Sequence, residues 1–361
     1  MLTGNKGEWS EVYTFLKLLG VGKLYAADEN LRKVDNVFYN ILEIIRSESI
    51  GNLEFRYSNN QNDVEVVNTD SGEILISMPK SEFDDQANKL FSDIIHSVGT
   101  TFSFAETEAF LNTVAVQSLK ASSSDKSDIK IKVHDINSGY EAVQGFSIKS
   151  RLGNPSTLVN AGRTTNFIYE VKNATPESVE EYNGSEEIFK NKLGKLCSSS
   201  AVLDFVGMEN RTFYNNLVLI DSMLPSICAE MLLEYYVKGN TTVKAIVESV
   251  TEHNPLHFDI EQSGHPFYEY KFKKFLRECA LGMLPGRKWD GTIDATGGYI
   301  IVREDGEVLC YHLFNINEFE KYLLMNTKFE TASTSRHGFG KIYEENGKFY
   351  IKLNLQVRFI R

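Results

Sequence analysis

Long apolar runs are missing from this 361-residue chain. No stretch approaches the ~18 uninterrupted apolar residues of a membrane span, so no membrane association is expected. The N-terminus, Met1-Leu-Thr-Gly-Asn-Lys-Gly-Glu8, shows an early acid and no apolar h-region, so no secretory signal is expected either. Cysteine is scarce and scattered. Cys197, Cys228, Cys279 and Cys310 form no CxxC pair, which argues against a zinc site and suits buried thiols in a reducing cytoplasm, the expected location. A GxxxxGK[ST] loop is absent, which excludes a nucleotide-driven motor, and GxSxG and HExxH are absent too. His253 and His257 lie four apart, but Pro255 between them spoils a metal-binding helix. Gly297-Gly298-Tyr299 reads as a turn rather than a phosphate cradle.

Positive charge is also short. The 38 Lys and Arg face 49 Asp and Glu, a net charge of −11, which excludes a general nucleic-acid coat. Its distribution matters more than its sum. Residues 120–163 hold seven Lys/Arg against four Asp/Glu, and residues 321–361 hold eight against three. Two basic segments on an otherwise acidic chain suit a localised anion-binding cleft.

What is present is the periodicity of a mixed α/β (α+β) chain, without internal repeat or long linker. Apolar residues at helical spacing predict a helix over Gly7–Leu19, ended by Gly20 and Gly22. Short strands are expected over 23–79 and a second helix over Ser81–Val98 with Ser81 as its N-cap. A helical piece and a strand are expected within 100–120, then a polar loop at Ala121–Ser127. Further on, the pattern predicts a helix starting at Ser156, a strand at Asn166–Val171, and helices at Glu186–Phe205, Tyr214–Tyr236 and Glu318–Asn326. It also predicts hairpins within Gly286–Tyr311 (strands Thr292–Ala295 and Tyr299–Arg303) and over Phe339–Arg358, the latter turning at Glu345-Asn346-Gly347.

The segment His134 to Arg151 carries the chemistry. The alternation Ile129-Lys-Ile131-Lys-Val133-His is that of a half-buried strand ending on Asp135. Asn137-Ser138-Gly139 supplies a turn, and Gly145-Phe-Ser147-Ile-Lys149 resumes the strand. Ser147 and Lys149 share a face because strand side chains repeat every two residues. An aspartate and a lysine displayed together at a strand mouth hold a divalent metal and a water beside a phosphate, as a metal-dependent nuclease requires.

These residues resemble the PD-(D/E)XK nuclease motif, with Asp135 as first acid and Ser147-Ile148-Lys149 as the (D/E)XK element, serine standing where that superfamily has a carboxylate. Three blocks also resemble the HpaII family of type II restriction endonucleases: Gly4–Glu11, Gly145–Gly153, and Thr331–Gly340 with Lys352–Phe359. The resemblance implies a restriction-endonuclease-like core, a mixed β-sheet flanked by helices, with an added C-terminal β-rich region. It implies one endonuclease unit over 1–361, with an N-terminal region (1–100), a catalytic core (101–225) and a DNA-recognition region (226–361). It further implies Mg2+ as cofactor, double-stranded DNA as partner and CCGG as target; monomer and homodimer both remain open.

Asp135 is the expected metal ligand, and Lys149 is expected to orient the attacking water. Ser147 cannot act as a charged ligand, so a first-helix acid is expected to replace it. Glu8 and Glu11 lie three apart on one helix face, and Glu11 is favoured as catalytic acid and metal ligand. DNA contacts are expected from Ser150, Arg151, Asn154, Thr157, Asn160, Arg163 and Thr164. The tail offers Arg336, His337 and Lys341, then Asn354, Gln356 and Arg358 alternating on a strand. Arg163 and Arg336 are candidate guanine readers, because arginine pairs bidentately with guanine O6 and N7. The rival expectations are a nuclease of the same fold with another target or a repair role, and a DNA-binding protein that does not cleave.

Overall fold

Asn5 opens the first helix with a reciprocal cap. Its side-chain oxygen accepts the Glu8 N–H at 3.1 Å, and the Glu8 carboxylate accepts the Asn5 N–H at 2.9 Å. In the computed structural model, which describes residues 1–120, 127–136 and 138–360, helix α1 (Lys6–Val21) follows. It is buried on most of its circumference rather than along one stripe, because it lies between the main sheet and a second helix. Gly22 ends it in the left-handed region at φ 75°.

Strands β1 (Lys23–Ala27), β2 (Lys33–Glu48), β3 (Gly51–Tyr57), β4 (Asp63–Asn68) and β5 (Glu73–Pro79) come next. Helices α2 (Lys80–His96) and α3 (Ala105–Thr113) lead to the hairpin β6 (Ile129–Asp135) and β7 (Glu141–Ser150). The chain continues through β8 (Thr157–Val159), β9 (Asn166–Lys172), α4 (Pro176–Gly184), α5 (Phe189–Ser198) and β10 (Val202–Met208). Helices α6 (Arg211–Ile220), α7 (Leu224–Leu233), α8 (Val243–His253), α9 (Ile260–Ser263) and α10 (Phe267–Leu281) follow. The last stretch comprises β11 (Gly298–Val302), β12 (Val308–His312), α11 (Ile316–Met325), β13 (Thr327–Phe329), α12 (Thr334–His337), β14 (Ile342–Glu345), β15 (Lys348–Asn354) and β16 (Val357–Phe359).

Two compact units result. The first comprises Met1–Ser156 and Asp294–Phe319, and the second Thr157–Ile293 and Glu320–Ile360. The first is built on a nine-stranded sheet in the order β1-β12-β11-β7-β6-β2-β3-β4-β5. The β1–β12 and β11–β7 pairs are parallel and the rest antiparallel, so the sheet is mixed. β1 also pairs with the long β2, which closes six strands into a ring and leaves β3 to β5 as an extension. Trp9, Phe15, Leu16 and Leu19 of α1 pack into this unit's core with Phe55, Phe83, Ile131 and Ile300. The second unit carries a four-stranded sheet, β10-β9-β15-β14, and a three-stranded one, β13-β16-β8. Among the described residues, no single helix is long and apolar enough to cross a membrane. Cys228, Cys279 and Cys310 are buried free thiols, and Cys197 is half-buried.

The mixed α/β reading holds, but several expected boundaries shift. Gly20 lies inside α1. A Cβ there would meet the Asp84 backbone of α2 at 2.8 Å, so its missing side chain permits the close helix crossing. Gly20→Ala should therefore destabilise the protein by about 1–3 kcal/mol through overpacking; denaturant unfolding of the two proteins measures it.

Ser81 is not the N-cap of α2, which starts at Lys80 after Pro79. Ser156 starts no helix, because Thr157–Val159 pairs with β16 instead. The helix expected over Glu186–Phe205 stops at Ser198, and Val202–Met208 becomes a strand against β9. The helix expected over Tyr214–Tyr236 is two, divided by the extended Asp221 and by Pro225 in the first turn of α7. Thr292–Ala295 is not a strand; the hairpin there joins β11 to β12. The turn at Asn346-Gly347 is as expected, both residues having positive φ (53° and 74°) in a two-residue loop between Glu345 and Lys348. The expected polar loop falls outside the described residues except for Ser127, as does Asn137 of the motif turn.

Candidate active site

The register of the β6–β7 hairpin decides which acid meets Lys149. His134 pairs with Glu141 at the turn end, and Ile129 pairs with Phe146 at the open end. Lys149 lies beyond that open end, whereas Asp135 is at the turn, where its N–H donates to the Tyr140 carbonyl at 3.0 Å. Nine residues of strand separate the two levels, roughly 30 Å at about 3.3 Å per residue. Asp135 therefore does not share a site with Lys149, contrary to the sequence expectation. It is buried and organises the turn: its carboxylate accepts the Ser138 hydroxyl at 2.7 Å, and its carbonyl accepts the Gly139 N–H at 2.8 Å.

The acid that does meet Lys149 is Asp128, just before β6. Its Oδ2 accepts the Ile148 N–H at 2.7 Å and the Ser147 hydroxyl at 3.0 Å. Lys149 Nζ donates to the same Ser147 Oγ at 2.9 Å. Ser147 thus bridges the carboxylate and the ammonium across one strand face. Lys149 also lies over the ring of Tyr299, on the parallel neighbour β11, at 5.3 Å.

Helix α1 adds the second carboxylate. Burial, and then the nearby Asp128 charge, push the Glu11 carboxyl up to about 7, while Lys120 and Lys149 pull against that rise. Glu8 faces the same way but is already committed. It closes the capping box and pairs with Lys120 at 3.3 Å. The Asn5 N–H bond, against some desolvation, and then Lys120 hold its carboxyl below the usual range. The Ser10 hydroxyl donates to Ser150 Oγ at 2.7 Å, which ties helix to strand, and Ser150 Oγ also accepts the Leu152 N–H at 3.1 Å. That hydroxyl, expected to face DNA, works inside the fold. Lys6, Thr100, Lys149 and Asn154 line a cleft of about 510 Å3 that opens beside Glu11.

Glu11, Ser147 and Lys149 are thus brought together as expected, while Asp128 and Lys120 were not singled out. The signal for Asp128 was present: in a hairpin, the residue preceding the first strand faces the far end of the second. Among the described residues, no group of three or more His, Cys, Asp or Glu is arranged as a metal cage. Two carboxylates of hard oxygen donors still suit magnesium, which keeps several waters and takes one or two protein carboxylates beside substrate phosphates.

In the second unit, Arg163 is exposed in the short turn Arg163–Thr165, together with half-buried Thr164, and exposed Asn160 and half-buried Thr157 precede it. Arg336 is exposed on α12, with His337 beside it, and Lys341 is exposed beyond them. The Arg163 guanidinium lies so close to Gly338 that a Cβ there would stand 3.5 Å from Arg163 Nε. The two candidate guanine readers therefore neighbour each other. Asn354 does not face outward as expected. It is 1% exposed, and its amide donates to Gly162 O, Thr165 Oγ1 and Asn166 Oδ1 at 2.7–3.1 Å. Nor do Asn354, Gln356 and Arg358 share a strand, since β15 ends at Asn354 and β16 starts at Val357 in another sheet. Arg358 pairs with Glu330 at 2.7 Å. Arg151 and Asn154 stay in the first unit, half-buried and exposed respectively.

Facing carboxylates with a lysine bridged to one of them are the equipment of a phosphodiester hydrolase, and comparison with known proteins gives the class a family. A model of the HpaII restriction endonuclease family matches residues 5–359, and the chain belongs to that family. The chain is 44% identical to the type II restriction enzyme HpaII of Haemophilus parainfluenzae over 99% of both chains. No solved structure matches it. It is a type II restriction endonuclease, a site-specific deoxyribonuclease. Enzymes of this class generally need a divalent metal.

Proposed function

We propose that this enzyme hydrolyses both strands of double-stranded DNA at CCGG, using Mg2+, and leaves 5′-phosphate and 3′-hydroxyl ends. The target follows from the family resemblance. The site reading rests on one observation, the convergence of Glu11, Asp128, Ser147 and Lys149 at the open end of the hairpin. In this reading the first unit is a PD-(D/E)XK-type core. Asp128 takes the role of the first acid, and Glu11 supplies the negative charge that serine lacks at position 147.

Glu11 and Asp128 would hold the magnesium ion, which supplies charge neutralisation at the phosphorus and an activated water. Lys149 orients that water toward the phosphorus, opposite the leaving 3′ oxygen, and stabilises the charge gathering on the phosphate oxygens. The phosphorus gains the water oxygen as its bond to O3′ breaks; the water gives up a proton to solvent, and O3′ takes one from solvent to leave as a hydroxyl. Ser147 holds the Lys149 ammonium beside Asp128. Digestion of a plasmid of known sequence with magnesium, followed by end-sequencing, tests the reading. Ends within CCGG are expected; ends elsewhere, or binding without cleavage, would sink it.

Arg163 and Arg336 are assigned to reading guanine, and Thr157, Asn160, Thr164, His337 and Lys341 to the DNA backbone. Arg163→Ala and Arg336→Ala should each cost about 1–3 kcal/mol on the target and relax preference at one base pair. Equal losses on target and single-mismatch duplexes would remove the base-reading role. Gly338→Ala should act in the same direction through the backbone, because Gly338, which lies against the Arg163 guanidinium, has φ 66°, a conformation that strains any residue but glycine.

A further inference from the structure

Asn216 lies in the interior of helix α6 and is 3% exposed, although asparagine is a poor helix former. Its three side-chain hydrogen bonds all go to one surface turn of the same unit. The amide donates to the carbonyls of Leu284 at 3.3 Å and Arg287 at 2.8 Å, and its oxygen accepts the Trp289 N–H at 3.2 Å. A buried amide is destabilising unless its polar atoms are paired. Here the pairing holds a turn that is distant in sequence and does nothing for the helix that carries the residue.

The turn is also closed on itself. Around Pro285-Gly286, the Arg287 N–H donates to the Leu284 carbonyl at 3.2 Å. Downstream, half-buried Trp289 donates its indole N–H to the Thr292 carbonyl at 2.9 Å. Gly286 and Arg287 are exposed, while the backbone beneath them is fixed. Gly286 sets the turn against the recognition segment, since a Cβ there would stand 3.6 Å from Thr164 Cγ2, next to Arg163 in sequence. Arg287 has its N–H and its carbonyl both bonded, so the direction of its side chain is set before any ligand arrives. Such fixing matters little for a point-charge contact. It matters for the planar arginine fork, whose two parallel hydrogen bonds need a defined orientation.

We infer that Arg287 is a specificity-determining residue that reads a guanine of the target, and that Asn216 is the positioning residue that holds its turn in place. This rests on the recognition role proposed for the Arg163–Thr165 turn and extends it to a second, separately anchored turn beside it. Asn216 touches no DNA. It acts through Arg287 alone, so its loss lowers discrimination between bases rather than affinity for duplex in general.

The test measures binding of the full chain, in calcium, to a CCGG duplex and to duplexes carrying each single base-pair change. Arg287→Ala should weaken target binding about 10- to 100-fold and leave binding to the duplex changed at its own base pair at the wild-type level. Asn216→Ala should lose discrimination at that same base pair, and the double variant should discriminate no worse than Arg287→Ala, because the two residues act as one unit. Asn216→Ser, whose hydroxyl can still donate to one carbonyl, should fall between wild type and Asn216→Ala, and it carries the test if the alanine variant does not fold. Equal losses on target and changed duplexes for Arg287→Ala would overturn the base-reading role. Equal losses for the Asn216 variants, or losses that add to those of Arg287→Ala, would reduce Asn216 to a structural residue. A wild type that does not prefer CCGG would instead overturn the target assignment, so the failures are distinct.

Discussion

Replacing Asp128 by asparagine should reduce DNA cleavage by at least about 10³-fold, while Asp135→Asn should leave it within a few-fold of wild type. Removing one well-placed electrostatic element at a reacting centre typically costs 10²–10³-fold, and a lost metal ligand adds to that. Lys149→Ala should match Asp128→Asn in depth, because the Ser147 hydroxyl bridges the two side chains and neither can replace the other. Asp135→Asn keeps an oxygen for the Ser138 hydroxyl, and its measurable effect should be on stability, about 1 kcal/mol. Single-turnover cleavage in magnesium, with target binding in calcium as the control for folding, separates these outcomes. A silent Asp128→Asn together with a dead Asp135→Asn would return the active site to the turn end of the hairpin.

Glu11→Gln should be the next most severe, at about 100-fold or more in cleavage, and it should carry a stability signature of opposite sign. The Glu11 carboxyl titrates near 7 in the fold against an ordinary value of 4.5, first because it is buried and then because Asp128 faces it. A carboxyl whose folded value is raised favours the folded state below about 4.5, and that contribution is lost as pH rises through 7. At pH 8 the metal-free wild type therefore holds a strained negative charge that Gln removes. Glu11→Gln should stabilise the metal-free protein at pH 8 by up to about 3 kcal/mol before solvent screening, or about 2–4 °C in melting temperature per kcal/mol, and should do nothing at pH 4. If Glu11 and Asp128 hold the metal as proposed, magnesium should reverse the order, raising the melting temperature of the wild type and much less that of the variant. Magnesium affinity of the wild type should fall as pH drops below 7, because binding must displace the Glu11 proton. Thermal melts with and without magnesium at pH 4, 6 and 8 check each sign. If Glu11→Gln cleaves normally and melts like wild type at pH 8, Glu11 is not at the metal.

The Gly20 crossing shows how a local signal and its tertiary use diverge. A glycine at the end of an apolar helical pattern reads as a stop, and Gly22 is one. Gly20 is instead a contact point, a property of α2 lying against it and not of its own neighbours. The tail shows the same divergence. Alternation across Asn354, Gln356 and Arg358 suggested one outward face, but Asn354 is spent inside the fold and the strand breaks after it.

By itself the sequence determined the mixed α/β class, the position of α1, the β6–β7 hairpin, and the placement of Ser147 with Lys149 on one strand face. It also carried the family, through blocks spread from one end of the chain to the other. These are local periodicities and short-range chemistry, and they need no partner from elsewhere in the chain. Only the tertiary structure decided which aspartate lies beside Lys149. Asp128 and Asp135 bracket the same strand, and a strand pattern does not say which end faces the helix. The register of β6 on β7, and the packing of α1 beside the open end, set Asp128, Glu11 and Lys149 in one place and left Asp135 roughly 30 Å along the hairpin.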